Sequence, residues 1–445
     1  MKRCSALFLA LLLLFPLCVQ AEKADRLPDA FSIKYQVKER LEKKEKTFIS
    51  KEYIRSLQPG VDERINGLVD SFDSLMSGDL KPLDNPRRNS RLDIHVVHSV
   101  SGRSAVSFLV LARESYRRKQ LRSPFDCMTF DMETGEELFL TDLFPKDSEA
   151  WDLMAEAIYH ELSAYFPKQE ADEETLLSLC SREAIEKTPF MLGPVCLTLH
   201  YEAKTLYPDQ PSLMKVSVPY TAFRGMMTEK GAYHTDNSMY KMVAITLDDG
   251  PTYSITASLL NTLRHNGTPV TFFLVGDRIA EYQDIVLREN DELHSLQSHH
   301  FKHTDTTKSN AGRIQSYTKQ FNEALSSVTG TLPVMLRAPY GLSDPFIQAG
   351  IELPLIQWDV DTKDWAGRSK SAILSVVKEE TKDGSIILMH DVVEDTAGNI
   401  LPVLEWLRGK GYLCVTMEDL FLHNHQEMKP KRVYYFMEKN PEAAP

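Results

Sequence analysis

From Met242 onward, short apolar runs alternate with helix-length amphipathic segments: VAITL, VTFFLV, PVMLR, LPLIQW, SIILMH and YLCVT. Strands separated by helices pair in parallel through crossover connections, so the pattern predicts an α/β parallel sheet or barrel. Folds of this kind gather their chemistry where strands end. The polar residues just beyond each apolar run are therefore the ones to read.

The first run ends in ITLDDGP. Side chains on an extended segment alternate faces, so Asp248 and Asp249 need not share one environment. One can bind a metal while the other serves as a base. Further on, HSLQSHHFKHTD holds His299, His300 and His303. The pairs His299/His303 and His300/His303 both have a spacing that puts two imidazoles on one side of a helical turn. Two imidazoles and a carboxylate with an open position form the usual catalytic zinc arrangement, which Asp249 and two of these histidines would supply. The next run ends in LRAPYG, where Arg337 would neutralise a nearby carboxylate. WDVDTKDW places Asp359 and Asp361 on one face between Trp358 and Trp365, and SIILMHD puts His390 at a strand end.

In the order TLDDGP, HHFKH, RAPYG, DTKDW and LMH, these segments resemble the five motifs of the polysaccharide deacetylase family, the family 4 carbohydrate esterases with a NodB-type domain. The resemblance spans roughly residues 240–421 and implies a distorted (β/α) barrel. It selects Asp249, His299 and His303 as ligands of Zn2+, or of another divalent ion such as Co2+ or Mn2+. It makes Asp248 the general base, oriented by Arg337, and His390 the general acid, with Asp361 as its partner. The Tyr340 backbone N–H would stabilise the oxyanion, and Trp365 with Leu388 would line a pocket for the acetyl methyl. His300 stands where a hydroxyl residue is usual, and Leu247 where Phe is common. His300 is expected to support the metal loop from outside the ligand set and to titrate near neutral pH.

The implied activity is that of a hydrolase cleaving carbon–nitrogen bonds other than peptide bonds, removing N-acetyl groups from a cell-envelope polysaccharide, with peptidoglycan the expected substrate. A chitooligosaccharide deacetylase, an O-acetyl xylan esterase, or a non-catalytic glycan-binding protein would use the same scaffold. The last would be expected to lack the base, a ligand or the acid, and all are present here.

The rest of the chain sets the context. A net charge of −12 argues against nucleic acid as a partner. Residues 1–21 read as a signal peptide, with Lys2 and Arg3 before the apolar run Ala6 to Val19 and a cut after Ala21. This predicts a secreted or envelope-associated protein with no stable membrane insertion after cleavage. Four cysteines then remain, of which Cys180 and Cys196 are the expected pair. Residues 22–228 read as an accessory α+β domain with scattered histidines and no catalytic pattern. Its Asp131-x-x-Thr134-Gly135 and Leu140-x-Asp142-Leu143-Phe144 resemble the module that precedes the catalytic domain in some secreted peptidoglycan deacetylases. Residues 229–240 read as a linker, 241–422 as the deacetylase domain and 423–445 as a frayed tail.

Overall fold

The computed structural model describes residues 25–42, 47–78, 90–116 and 119–439. The expected signal peptide, with Cys4 and Cys18, lies outside these. So does the last part of the tail, from residue 440.

Seven strands of the amino-terminal unit form one sheet: β1 (Lys34–Glu42), β2 (Thr47–Arg55), β3 (Ser90–Ser101), β4 (Ala105–Tyr116), β5 (Lys119–Arg122), β6 (Phe125–Asp131) and β7 (Glu137–Leu138). Their order is β1-β2-β3-β4-β6-β7, with β5 also on β4. The helix Pro59–Gly78 connects the parallel pair β2 and β3. Its Ile65, Val69, Phe72 and Met76 are buried at helical spacing, while Leu75 is exposed. A second, antiparallel sheet holds β8 (Phe190–Leu192), β9 (Cys196–Glu202) and β10 (Leu213–Pro219), covered by the helix Ala150–Ala164.

The carboxy-terminal half is built on β11 (Lys241–Asp248), β12 (Thr271–Leu274), β13 (Ser295–Ser298), β14 (Leu355–Ile356), β15 (Val360–Asp361), β16 (Ile386–His390), β17 (Tyr412–Val415) and β18 (Val433–Tyr434). Parallel pairing gives the order β13-β12-β11-β16-β15, and β17 joins the lower part of β11. Single parallel bridges at Leu336 link Ser298 to Leu355 and extend the sheet towards β14 and β18. Among the described residues no pairing joins this end to β15, so the described strands do not close the expected barrel. Pro333, Pro339 and Pro354 explain part of this, since proline has no N–H to give and restricts the residue before it.

Three other expectations are corrected. Residues 229–235 are no linker: Glu229–Thr235 is a helix capped by Thr228, and Gly231 packs so closely on Leu143 that an added Cβ would lie 2.4 Å from its carbonyl oxygen. The tail is not frayed up to residue 439, because β18 pairs with β14 and buries Tyr434, with Met437 buried beyond it. Cys180 and Cys196 are both free; the Cys180 thiol donates to the Leu176 carbonyl, and the Cys196 thiol lies 3.9 Å from Asp419 Oδ1.

The two halves share a core. One apolar cluster runs from Ile65, Val69 and Ile94 through Tyr240 and Met242 to Phe421. Beside it, Arg264 binds Glu52 at 2.6 Å and Glu292 at 2.7 Å, all three buried. Removing one partner of a buried pair strands the other charge, at a cost of about 3–5 kcal/mol. Glu52→Ala is therefore expected to lower the thermal unfolding midpoint of the whole chain, including the carboxy-terminal half from which Glu52 is absent. A scan in which the carboxy-terminal half melts unchanged would contradict a shared core.

Candidate active site

β11 ends with Asp248 buried and Asp249 in the left-handed region at φ 79°. That turn swings the second carboxylate away from the strand direction. Gly250 follows because nothing larger fits: a Cβ there would lie 1.9 Å from the Asp391 carboxylate. The two acids thus enter different surroundings, as alternation along the strand predicted. Asp248 Oδ1 accepts from Arg337 Nη1 at 2.8 Å. Asp249 Oδ1 lies 3.4 Å from His299 Nε2 and 3.3 Å from His303 Nε2, and it has no hydrogen-bond partner of good geometry among the described residues.

Arg337 is fully buried and its donors are matched. Nη1 also donates to Thr246 Oγ1, Nη2 to the Gln357 carbonyl and Nε to the Ile356 carbonyl. Its plane covers the Phe273 ring at 4.2 Å. Its own carbonyl accepts from His299 Nδ1 at 2.8 Å. This fixes the proton on Nδ1 and leaves the Nε2 lone pair facing Asp249.

One ligand atom from each of Asp249, His299 and His303 lies within 4.8 Å of the others, a compact nitrogen and oxygen donor set. The open Asp249 oxygen and the fixed His299 tautomer fit a divalent cation. Burial opposes the Asp249 charge, but the close approach of His299, with the nearby His303 and His390, outweighs it and holds the carboxyl at about 2. Burial also lowers His303. Both shifts favour the ligand-competent forms, carboxylate and neutral imidazole.

On the other side stands His390, at the end of β16 opposite Asp248 in the register. The expected partner Asp361 does not reach it. Asp364 does, accepting from His390 Nδ1 and from its backbone N–H, both at 2.8 Å. The reason is the turn: Lys363 has φ 53°, which reverses the chain and brings the next acid under the strand, while Asp361 accepts from the Lys363 N–H instead. Burial lowers the His390 pKa, but the Asp364 hydrogen bond and charge, with Asp248 and Asp249, raise it overall. The sequence did offer a signal, since both aspartates stand in DTKDW.

The remaining expected residues are spread around this centre. Tyr340 has φ 58°, its ring packs edge-on against His303 at 4.5 Å, and no acceptor takes its N–H among the described residues. Leu388 is buried on the His390 face of β16, and Trp365, next to Asp364, is 60% exposed at the rim. His300 is not in solvent. It is 1% exposed, packs against Phe346 and Tyr317, and its Nε2 lies 3.4 Å from the Ile314 carbonyl. It braces the loop against the helix Ala311–Thr329. The expected titration near neutral pH is corrected: burial pushes its pKa down to about 4.

The description polysaccharide deacetylase matches residues 235–352. The peptidoglycan-N-acetylglucosamine deacetylase PgdA of Listeria monocytogenes is 35% identical over 181 residues, which cover 41% of this chain and 39% of that protein. A peptidoglycan-N-acetylglucosamine deacetylase of Bacillus cereus is 30% identical over 201 residues, 43% of this chain and 73% of that one. Among solved structures, a family 4 acetyl xylan esterase from Clostridium thermocellum in complex with a cobalt ion is 26% identical, with 44% of this chain and 98% of that chain covered and a TM-score of 0.43. The chain belongs to the polysaccharide deacetylase family. It spans 39% of the length of the Listeria relative, so the likeness is one of the catalytic half.

Removing the charge of Asp364 separates it from Asp361. Asp364→Asn is expected to lower the His390 pKa, so the protonated acid is lost at lower pH and the basic limb of the rate–pH profile moves acidward. Asp361→Asn is expected to leave that limb in place. Rate profiles of the two variants on one acetylated oligosaccharide check this.

Proposed function

We propose that this chain is a secreted, metal-dependent deacetylase that hydrolyses N-acetyl groups of a cell-envelope glycan, with peptidoglycan as substrate. The single observation that carries the reading is the three-sided site. A His–His–Asp donor set lies between an Arg-held carboxylate and an Asp-held imidazole. The residues 1–21 support secretion, and the names of the relatives above support peptidoglycan.

Asp249, His299 and His303 would hold the ion, and their two nitrogens and one oxygen suit zinc. When bound, the ion supplies Lewis-acid polarisation of a carbonyl and acidifies water near neutral pH. Asp248 takes the proton of the attacking water. Arg337 aims that carboxylate through its 2.8 Å hydrogen bond, and the guanidinium cannot compete for the proton. The Tyr340 N–H meets the carbonyl oxygen as negative charge develops on it, and a well-placed donor of this kind contributes roughly 3–4 kcal/mol. His390 gives its proton to the departing nitrogen, an essential step because an amide anion is a poor leaving group. Asp364 holds the imidazole by Nδ1, so Nε2 is the nitrogen that donates. Leu388 and Trp365 shape the place of the acetyl methyl.

Asp248→Asn is expected to retain metal and lose about 10²–10⁴-fold in turnover, the range for a general base. His303→Ala is expected to lose metal, as elemental analysis of the purified protein would show. Chelation should abolish turnover in the wild type, and added zinc should restore it. Acetate release from muropeptides, chitooligomers and acetylxylan identifies the substrate. Release from acetylxylan with none from the N-acetylated glycans would overturn the N-deacetylase reading.

A further inference from the structure

Asp391 takes no part in the chemistry above, yet it is fully buried directly behind the turn that carries Asp248 and Asp249. It follows His390 in the chain. Successive side chains at a strand end take opposite faces, and Asp391 meets the helix Ser254–His265 while His390 meets Asp364.

Its contacts span the turn from Asp248 to Thr252. At the start, the Asp391 N–H donates to the Asp248 carbonyl at 3.3 Å. In the middle, the carboxyl group presses on Gly250, and the three atoms nearest to a Cβ added there all belong to that group. At the end, Thr256 Oγ1 donates to Asp391 Oδ2 at 2.8 Å while it accepts the Thr252 N–H, also at 2.8 Å. Thr256 is itself fully buried. From β12, on the other side of β11, the Val275 N–H donates to the Gly250 carbonyl at 3.0 Å.

The turn needs such a clasp. Asp249 has φ 79°, a conformation that a residue other than glycine keeps only where its surroundings over-determine it. Gly250 is not in that region, so the carboxyl group behind it, and not its backbone angle, is what excludes a side chain there. Packing alone does not account for an acid at 391. Its Oδ1 is buried without a hydrogen-bond partner among the described residues, which an apolar side chain would avoid.

We propose that Asp391 is a positioning residue for the candidate metal centre: its carboxyl group clasps the Asp248–Thr252 turn and holds Asp249 in the conformation that faces His299 and His303. The inference rests on the reading of those three residues as metal ligands.

The test measures zinc binding by the full chain, without glycan, in competition with a chromophoric chelator, and follows folding by circular dichroism. Asp391→Ala is expected to bind zinc about 10–100-fold more weakly than the wild type, the usual loss for a residue that supports a ligand from behind. Asp391→Asn keeps the shape and the acceptor for Thr256, so its affinity is expected to lie closer to the wild type than to Asp391→Ala. Gly250→Ala supplies a second arm. Its methyl group meets the carboxyl group and is expected to weaken binding at least about tenfold in the wild-type background, but less than about threefold when Asp391→Ala has vacated the space. If Asp391→Ala does not fold, Asp391→Ser replaces it in both arms. An equal effect of Gly250→Ala in the two backgrounds overturns the proposal. So does Asp391→Ala with wild-type affinity, or Asp391→Asn as weak as Asp391→Ala. A wild-type chain that binds no zinc overturns the metal reading and this inference together, whereas a wild type that binds zinc with no loss in Asp391→Ala overturns this inference alone.

Discussion

The site depends on one buried guanidinium. Arg337 touches Asp248 with one nitrogen, two carbonyls with the others, and the His299 ring through its own backbone oxygen. A buried ion pair is favourable only when its leftover donors and lone pairs are satisfied. Here each guanidinium nitrogen finds a partner, so the charge can remain in the interior and fix the Asp248 carboxylate and the His299 ring together. A lysine could not replace it, because an ammonium is a point charge without the planar fork that spans four acceptors.

The same logic explains how two acids side by side in sequence take different roles. Asp248 continues the strand and meets Arg337, while Asp249 turns out through a left-handed conformation and meets imidazoles. His390 then faces them across the adjacent strand, with its own carboxylate behind it. Two charge pairs, Arg337–Asp248 and His390–Asp364, therefore flank the donor set of Asp249, His299 and His303. Such opposed perturbation of neighbouring titratable groups is what acid–base chemistry at one pH needs.

Much of this was legible in the sequence because strand ends are marked by pattern. An apolar run followed by Asp-Asp-Gly-Pro or by Met-His fixes both the position and the direction of its last side chains. What was not legible depends on turns and on long-range partners. Asp361 and Asp364 differ only in which side of a left-handed Lys363 they fall, and no periodicity reports that. His300 reads as a second imidazole near the metal. Its burial against Phe346, which makes it a packing group, comes from a helix 40-odd positions away in sequence. Residues 229–235 look polar and linker-like because one face of their short helix is wet. The other is pressed onto Leu143 through a glycine. Sheet closure was likewise beyond the pattern, since pairing at Leu336 shrinks to single bridges among prolines.

The strand β18 has a consequence for how the active site comes into being. Leu355 and Gln357 donate their N–H groups to the Arg432 and Tyr434 carbonyls, and the Gln357 carbonyl in turn receives Arg337. The last strand of the sheet thus backs the segment that cradles the guanidinium. A chain cut anywhere between His390 and Val433 would carry Asp248, Asp249, His299, His303 and His390 and still lack this outer support. Its Asp248 would be held by an arginine whose own footing is a sheet edge open to water. Chemical completeness and mechanical completeness are reached at different points along this chain.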